Sequence, residues 1–338
     1  MFFEVFFLVL VTYFAYQLLI KFANKVNLID LPNSRSSHVL PTIRGFGIVL
    51  CIGIGITLFV FNQDLFIEHT SLLTAVLLVG ILGLVDDVVG TNPFIKIATL
   101  IMVYTFLYAE GFLITNLGVF LGVSLNLNLT LAILFTVVAI VTFTNAFNLI
   151  DGLDGLSGLI AIIIFLSFLF IGIKNNDQFL ITMPILFITS LAVFIFYNWH
   201  PAKVFLGDSG SLMIGFTISL MAIRSLSYIE PISILYITAV PIIDFLFVTI
   251  RRLLDGVSIF KADRLHCHHI LQSYFNNSVR KTVIVIAVFQ ILFSSFGLVF
   301  VSEVNDSFTA LTLFTLIFFI IFKFLNNIRI TELNQLYK

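Results

Sequence analysis

The sequence predicts an all-α, polytopic integral membrane protein with about eleven transmembrane helices, and three observations carry that prediction. Hydrophobic residues make up 60% of the 338-residue chain and charged residues only 10%, with a mean hydropathy of +1.14; soluble domains are nearer a quarter charged. Apolar runs approaching the ~20 residues that cross a bilayer recur along the whole chain. The basic residues are segregated. With the N-terminus outside, the loops that face the cytoplasm hold fifteen of the seventeen Lys and Arg, leaving only Lys174 and Arg224 on the outer side. Excess Lys and Arg marks cytoplasmic loops, so the bias sets the orientation.

The elements follow in order. The run 2–20 starts Met-Phe-Phe-Glu, without a basic flank or a small-residue cleavage site, and reads as a retained first span rather than a signal peptide. Loop 21–44 returns the chain to the cytoplasm, and 45–62 opens on Gly45 and Gly47. The run 71–85 ends in adjacent acids, Asp86 and Asp87, before 95–110. Residues 111–128 are apolar but interrupted by Gly111, Gly118, Gly122 and three Asn, which predicts a loop or short hairpin at the membrane surface. The runs 129–147, 157–173, 179–197, 210–226, 231–250, 281–302 and 308–325 complete the eleven. No repeat of fixed period appears, and residues 1–338 read as a single multi-span domain. The two cysteines, Cys51 and Cys267, form neither a disulfide framework nor a metal-ligand spacing. A net charge of −1 gives no bulk attraction to nucleic acid.

This alternation places the chemistry-bearing residues on one face. Five of the six histidines and every clustered Asp fall in cytoplasmic loops, which predicts a composite site at the cytoplasmic edge of the membrane. The central stretch is Asn145–Gly158, N-A-F-N-L-I-D-G-L-D-G-L-S-G, with Asn145, Asn148, Asp151 and Asp154 between two apolar runs. Polar groups at this density beside a span are costly and call for a function. A continuous helix would spread the four about half-way round the cylinder at ~100° per residue; the glycines predict a break that re-aims the chain. The plain alternative is a polar loop with helix caps.

Loop 21–44 contributes D-L-P-N-S-R-S-S-H-V-L-P-T-I-R-G-F-G, in which Arg35, His38 and Arg44 precede a helix N-terminus, a pairing suited to phosphate. Anchoring by positive charge is the competing account. Asp86 and Asp87 repel unless a cation joins them, and a helix C-terminus disfavours anions. Loop 198–209, N-W-H-P-A-K-V-F-L-G-D-S, brings Asn198, Phe205 and Asp208; Asp208 is either a helix cap or a third carboxylate at a metal site. Loop 251–280 carries D-R-L-H-C-H-H, with Arg264, His266, His268 and His269. His-x-His-His beside an acid suits zinc, whereas Arg and His together suit diphosphate. Asp244 is a buried acid with Arg251 and Arg252 one or two turns on as candidate partners.

Taken together, D-x-P-N-x-R-x-x-H-x-x-P-x-x-R-G, V-D-D, N-x-x-N-x-x-D-G-x-D-G-L, F-L-G-D-x-G-S and H-x-H-H resemble, in order, the polyprenyl-phosphate N-acetylhexosamine-1-phosphate transferases of the WecA, TagO and MraY type. The resemblance spans Asp30 to His269. It implies transfer of a UDP-activated N-acetylhexosamine-1-phosphate to undecaprenyl phosphate, with release of UMP, as the first step of a lipid-linked envelope glycan such as O-antigen, enterobacterial common antigen or a teichoic-acid-like polymer. It also implies Mg²⁺, with Mn²⁺ as a substitute. By motif, Asp208 resembles the metal ligand, with Asp151 as a second, and Asp86 and Asp87 the acidic pair of the chemistry. Asn145, Asn148, Asp151 and Asp154 resemble the central catalytic and nucleotide-binding segment, Asn198 and Phe205 the uridine contacts. Arg35, His38, Arg44, Arg264, His266, His268 and His269 resemble the substrate-phosphate positions.

The run His269-Ile270-Leu271 lacks the Phe-Glu of the peptidoglycan-precursor branch, which favours the WecA and O-antigen initiating branch. Phe46 between two glycines, and Ala262 in place of a proline, depart from the family pattern. The implied partners are a UDP-sugar, undecaprenyl phosphate, membrane lipids and a second copy in a homodimer, and the implied location is the bacterial cytoplasmic (inner) membrane. An ion-coupled transporter would instead need mid-membrane acids in repeat-related broken helices. A membrane zinc hydrolase would rest on the histidine loop.

Overall fold

A computed structural model describes residues 2–32, 41–258, 265–301 and 306–336. The architecture is helical, with two small two-stranded sheets. Two compact units divide it, Met1–Thr115 with Leu127–Tyr228, and Asn116–Asn126 with Ile229–Lys338.

The first unit contains α1 (Phe2–Phe22), β1 (Ile29–Asp30), β2 (Thr42–Ile43), α2 (Phe46–Phe61), α3 (Gln63–Glu68), α4 (Thr70–Val89), α5 (Pro93–Ala109), α6 (Leu129–Leu149), α7 (Leu156–Asn175), α8 (Gln178–Asn198) and α9 (Gly207–Ser225). Local chemistry sets the helix starts. Asn92, Asn128 and Asp177 each accept an N–H of the first turn, from Phe94, Leu131 and Leu180, at 2.9–3.0 Å, and Pro93 opens α5. The break between α6 and α7 falls at the predicted glycines; Gly155 takes φ +81°, a left-handed conformation that favours glycine.

The axis of this unit is α9, where only Gly207, Asp208, Ala222 and Arg224 escape full burial. It packs against α2, α4, α6 and α7. Backbones approach closely enough that a Cβ on Gly83 would lie 2.3 Å from the Asp208 carbonyl oxygen, and one on Gly47 2.1 Å from the Gly210 nitrogen. Small residues permit such contact where lipid offers no hydrophobic drive between helices. The hydroxyls of Ser211, Thr217, Ser219 and Ser225 donate to carbonyls four residues back at 2.7–3.0 Å, so they are satisfied within the helix.

The second unit contains β3 (Asn116–Phe120), β4 (Val123–Asn126), α10 (Pro231–Ile237), α11 (Ala239–Leu254), α12 (Cys267–Tyr274), α13 (Val279–Phe296) and α14 (Ser307–Leu336). The interrupted 111–128 region is a β-hairpin, as one of its two readings held. The expected run 231–250 is broken: α10 and α11 meet at 84°. Gln290 on α13 mends the break, donating to the Ile237 carbonyl at 2.7 Å and accepting the Val240 N–H at 3.0 Å. Tyr236, Phe247, Phe293, Phe314 and Phe318 form the core of this unit.

Every one of the eleven apolar runs is helical, but they differ in length and polarity. Among the described residues seven helices are long and apolar enough to cross a membrane, or eight with the bent pair. The remaining runs became α2, of 16 residues, α5, of 17, and the serine-bearing α9.

Candidate functional site

In the first unit the acids predicted from separate loops converge around the N-terminus of α9. Asp86 and Asp87 sit in the last turn of α4, Lys96 near the start of α5, Asn148 at the end of α6 and Asp208 in the first turn of α9. The Lys96 ammonium lies 2.6 Å from Asp86 Oδ2 and 2.5 Å from Asp208 Oδ2, bridging the two carboxylates. Asn148 Nδ2 donates to Asp208 Oδ1 at 3.1 Å and to Ser211 Oγ at 2.7 Å. Asp86 Oδ1 also accepts the Thr91 N–H at 2.6 Å and the Thr91 hydroxyl. The Asp208 side chain is 29% exposed and that of Asp86 14%, so neither carboxylate is fully covered.

Asp87 faces the other way. It is 4% exposed. Its Oδ1 accepts the Asp208 N–H at 2.9 Å and its Oδ2 the Ser209 N–H at 3.0 Å, which caps α9 with a carboxylate from another helix. Anionic groups are favoured at helix N-termini. Arg44 lies within electrostatic reach of Asp87, and its Nε is buried without a hydrogen-bond partner.

The re-aimed loop after α6 holds the next acids. Asp151 accepts the Ser157 hydroxyl. Burial pushes its carboxyl up to about 7; the Ser157 bond opposes this, and the charges of Asp208, Asp87 and Asp154 add to it. Asp154 Oδ2 meets His200 Nδ1 at 2.7 Å and accepts the Ala202 N–H at 3.1 Å. Asn198, 3% exposed, spends its amide on the Gly155 N–H and the Val204 carbonyl, both at 2.7 Å, tying this loop to 198–206. Phe205 is half-buried, and its backbone bonds to Ile43 and Phe46 dock the loop on the start of α2. Asn145 donates to the Val141 carbonyl at 2.7 Å, one turn back on α6.

The second unit gathers the histidine loop. Asp244 Oδ2 meets His266 Nδ1 at 2.7 Å and Asp244 Oδ1 accepts the Cys267 N–H at 2.7 Å, capping α12. Its resolved partners are thus on α12 and its cap. His268 stacks on His266 with ring centroids 5.5 Å apart, and His269 lies 4.3 Å from His268. Both His268 ring nitrogens are buried without a partner, and burial drives its pKa down to about 3, so the ring is neutral. Burial raises the Cys267 thiol, so it is no ready thiolate. Arg35, His38 and Arg264 lie outside the described residues.

Thr91, Ser157 and His200 joined the site without being singled out from the sequence, whereas Lys96 was legible there as a partner for one of Asp86 and Asp87. Lys96 had a signal available, as the lone charged residue of an otherwise apolar helix; the hydroxyls and His200 had none beyond nearness to the motifs. Among the described residues no group of three or more His, Cys, Asp or Glu is arranged to hold a metal ion. Asp208 nevertheless offers hard oxygen, with the Asp151 carboxylate within electrostatic reach, and Asp86 and Asp208 already share one cation. That fits Mg²⁺, which takes one or two carboxylates and completes its shell with waters and substrate phosphates.

A family model described as glycosyl transferase family 4 matches residues 69–226, the stretch that holds Asp86, Asp87, Asp151, Asp154 and Asp208. A Bacillus subtilis (strain 168) protein named "Probable undecaprenyl-phosphate N-acetylglucosaminyl 1-phosphate transferase" is 31% identical over 286 residues, covering 81% of this chain and 77% of that one. The decaprenyl-phosphate N-acetylglucosaminephosphotransferase of Mycobacterium leprae (strain TN) is 29% identical, covering 82% and 78%. The undecaprenyl-phosphate alpha-N-acetylglucosaminyl 1-phosphate transferase of Escherichia coli (strain K12) is 29% identical, covering 89% and 84%.

Proposed function

This chain belongs to the polyprenyl-phosphate N-acetylhexosamine-1-phosphate transferases of glycosyl transferase family 4, and from that membership we propose that it transfers an N-acetylhexosamine-1-phosphate from a UDP-sugar to undecaprenyl phosphate. The products are undecaprenyl-diphosphate-sugar and UMP, and the reaction starts a lipid-linked envelope glycan. The observation that carries the reading is the Asp86–Lys96–Asp208 bridge, a polar group with one carboxylate in excess assembled from three helices of a membrane protein. Isolated charges are not kept in such a setting without a task.

An oxygen of the acceptor phosphate attacks the β-phosphorus of the UDP-sugar. The bond from that phosphorus to the bridging oxygen breaks, and its electron pair leaves on UMP. Catalysis of this kind is mostly positioning and charge stabilisation. Asp86, fixed by Thr91 and Lys96, orients or deprotonates the acceptor. Lys96 and Arg44 supply positive charge for the phosphates. Asn145, Asn148 and Asp151 are assigned to nucleotide binding and Asp154 and Phe205 to the uridine end, while Asn198, whose amide is spent on Gly155 and Val204, holds the two loops beneath them. His266, His268 and His269, with Arg35, His38 and Arg264, are assigned to substrate phosphate.

Asp208, with Asp151 as a second ligand, would hold Mg²⁺ or Mn²⁺, which when bound neutralises charge on the diphosphate. The acids stand near the ends of apolar helices, which suits a lipid acceptor arriving from the bilayer and a nucleotide arriving from water. The location that follows is the bacterial cytoplasmic membrane, with a homodimer as the assembly. The test is purified protein or membranes incubated with undecaprenyl phosphate and a panel of UDP-N-acetylhexosamines. UMP release with one sugar, dependent on Mg²⁺ and on the lipid, is the expected outcome; none with any UDP-sugar overturns the reading.

A further inference from the structure

We infer that Asp87 is a positioning residue for Asp208: it fastens the N-terminus of α9 and neither takes a proton from substrate nor holds the metal. The inference deepens the transfer reading and rests on it for its kinetic readouts.

The surroundings of the two neighbouring acids of α4 differ in kind. Asp86 meets the Lys96 ammonium on one oxygen and the N–H and hydroxyl of nearby Thr91 on the other, and keeps an exposed edge. Asp87 is 4% exposed and gives one oxygen to each of two consecutive backbone amides, Asp208 and Ser209. Its two oxygens are thereby committed to groups that do not titrate.

The packing leaves Asp87 little freedom to leave that post. A Cβ on Gly207 would stand 2.6 Å from Asp87 Oδ2, and one on Gly83 2.3 Å from the Asp208 carbonyl, so α4 and α9 meet here at backbone distance. Gly207 takes φ +75°, which turns the chain into the helix directly over the carboxylate. The residue whose N–H is held is Asp208 itself, and its carboxylate meets Lys96 and Asn148. A shift of the first turn of α9 therefore moves Asp208, and misplacement by about 1 Å can cost ~10²-fold in rate.

A capping role and a proton-accepting role predict different substitution patterns. An Asn oxygen can still cap one of the two amides, although its NH2 cannot accept from the other, and an Ala caps neither; neither Asn nor Ala can act as a general base. Asp87→Asn is expected to retain at least about tenfold more kcat/KM than Asp87→Ala, with the acidic limb of its pH–rate profile unmoved. Mn²⁺ affinity, measured on the purified protein by electron paramagnetic resonance with Mn²⁺ alone, should fall in Asp87→Ala and be largely kept in Asp87→Asn.

Equal loss of turnover in both variants with native Mn²⁺ affinity, or disappearance of the acidic limb in Asp87→Asn, overturns the inference. Where Asp87→Ala does not fold, the pH profile and Mn²⁺ affinity of Asp87→Asn decide alone. Wild-type protein that releases no UMP counts against the transfer reading only, because Mn²⁺ affinity reports on Asp87 without turnover.

Discussion

Asp208 accepts from an amide on one oxygen and an ammonium on the other, and its own backbone N–H is held from a third helix. Its replacement by Asn keeps size and helix start but removes the charge that balances Lys96. Asp208→Asn is expected to lower kcat by about 10²–10³-fold, the scale of losing one preorganised electrostatic partner, with an unchanged elution profile on size exclusion. Near-native UMP release at ordinary Mg²⁺ would remove Asp208 from the metal and charge-balancing role. Residue types were well legible in the sequence here, because an acid beside an apolar run stands out. Partners were not, because Lys96 and Asp208 are 112 positions apart, and no spacing rule joins them. That Asp86 and Asp87 face different surroundings was legible, because adjacent helical residues point ~100° apart, but that Asp87 turns to the N-terminus of α9 was not.

Gln290 shows how an element survives a break. The chain turns by 84° between α10 and α11 and frees backbone groups that a continuous helix would pair; in a membrane these need protein partners. Gln290 provides both a donor and an acceptor from α13, with Ser294 as a further contact. Gln290→Leu, close in size but without hydrogen bonds, is expected to destabilise the protein by about 1–3 kcal/mol for the orphaned groups. The measurement is a thermal unfolding midpoint in detergent; an unchanged midpoint would mean that water or lipid headgroups satisfy the bend. Hydrophobic length located all eleven helical runs from sequence, yet it could not register this bend. Pro241 was a local signal, since it has no N–H to give the Ile237 carbonyl, but it sets neither the angle nor the partner, and the freed carbonyl is satisfied from another helix.

At the scale of the whole molecule, the ends of α8 offer a test of sidedness. Lys203 follows its C-terminal end and Lys174 precedes its N-terminal end, both exposed. Single cysteines at 203 and 174, in a chain lacking Cys51 and Cys267, should behave oppositely in sealed cells. An impermeant thiol reagent added outside is expected to modify 174 and spare 203; the reverse pattern would invert the orientation drawn from the basic residues. The positive-charge bias was open to reading because topology depends on simple counts near helix ends. The division into two units was not, since the hairpin 116–126 groups with residues more than a hundred positions later.

The burial of α9 bears on how the protein is made. A helix carrying so many hydroxyls and an acid at its head partitions into lipid poorly by itself, and it falls short of the apolarity of its neighbours. Yet α2, α4, α6, α7 and α8 all precede it in the chain. Synthesis from the N-terminus therefore delivers the walls before the post. When residue 207 is made, the glycines of α2 and α4 and the Asp87 carboxylate that will hold the start of α9 have already been synthesised. The order of the genetic text doubles as the order of assembly, with the least lipid-soluble helix of this unit translated last of all.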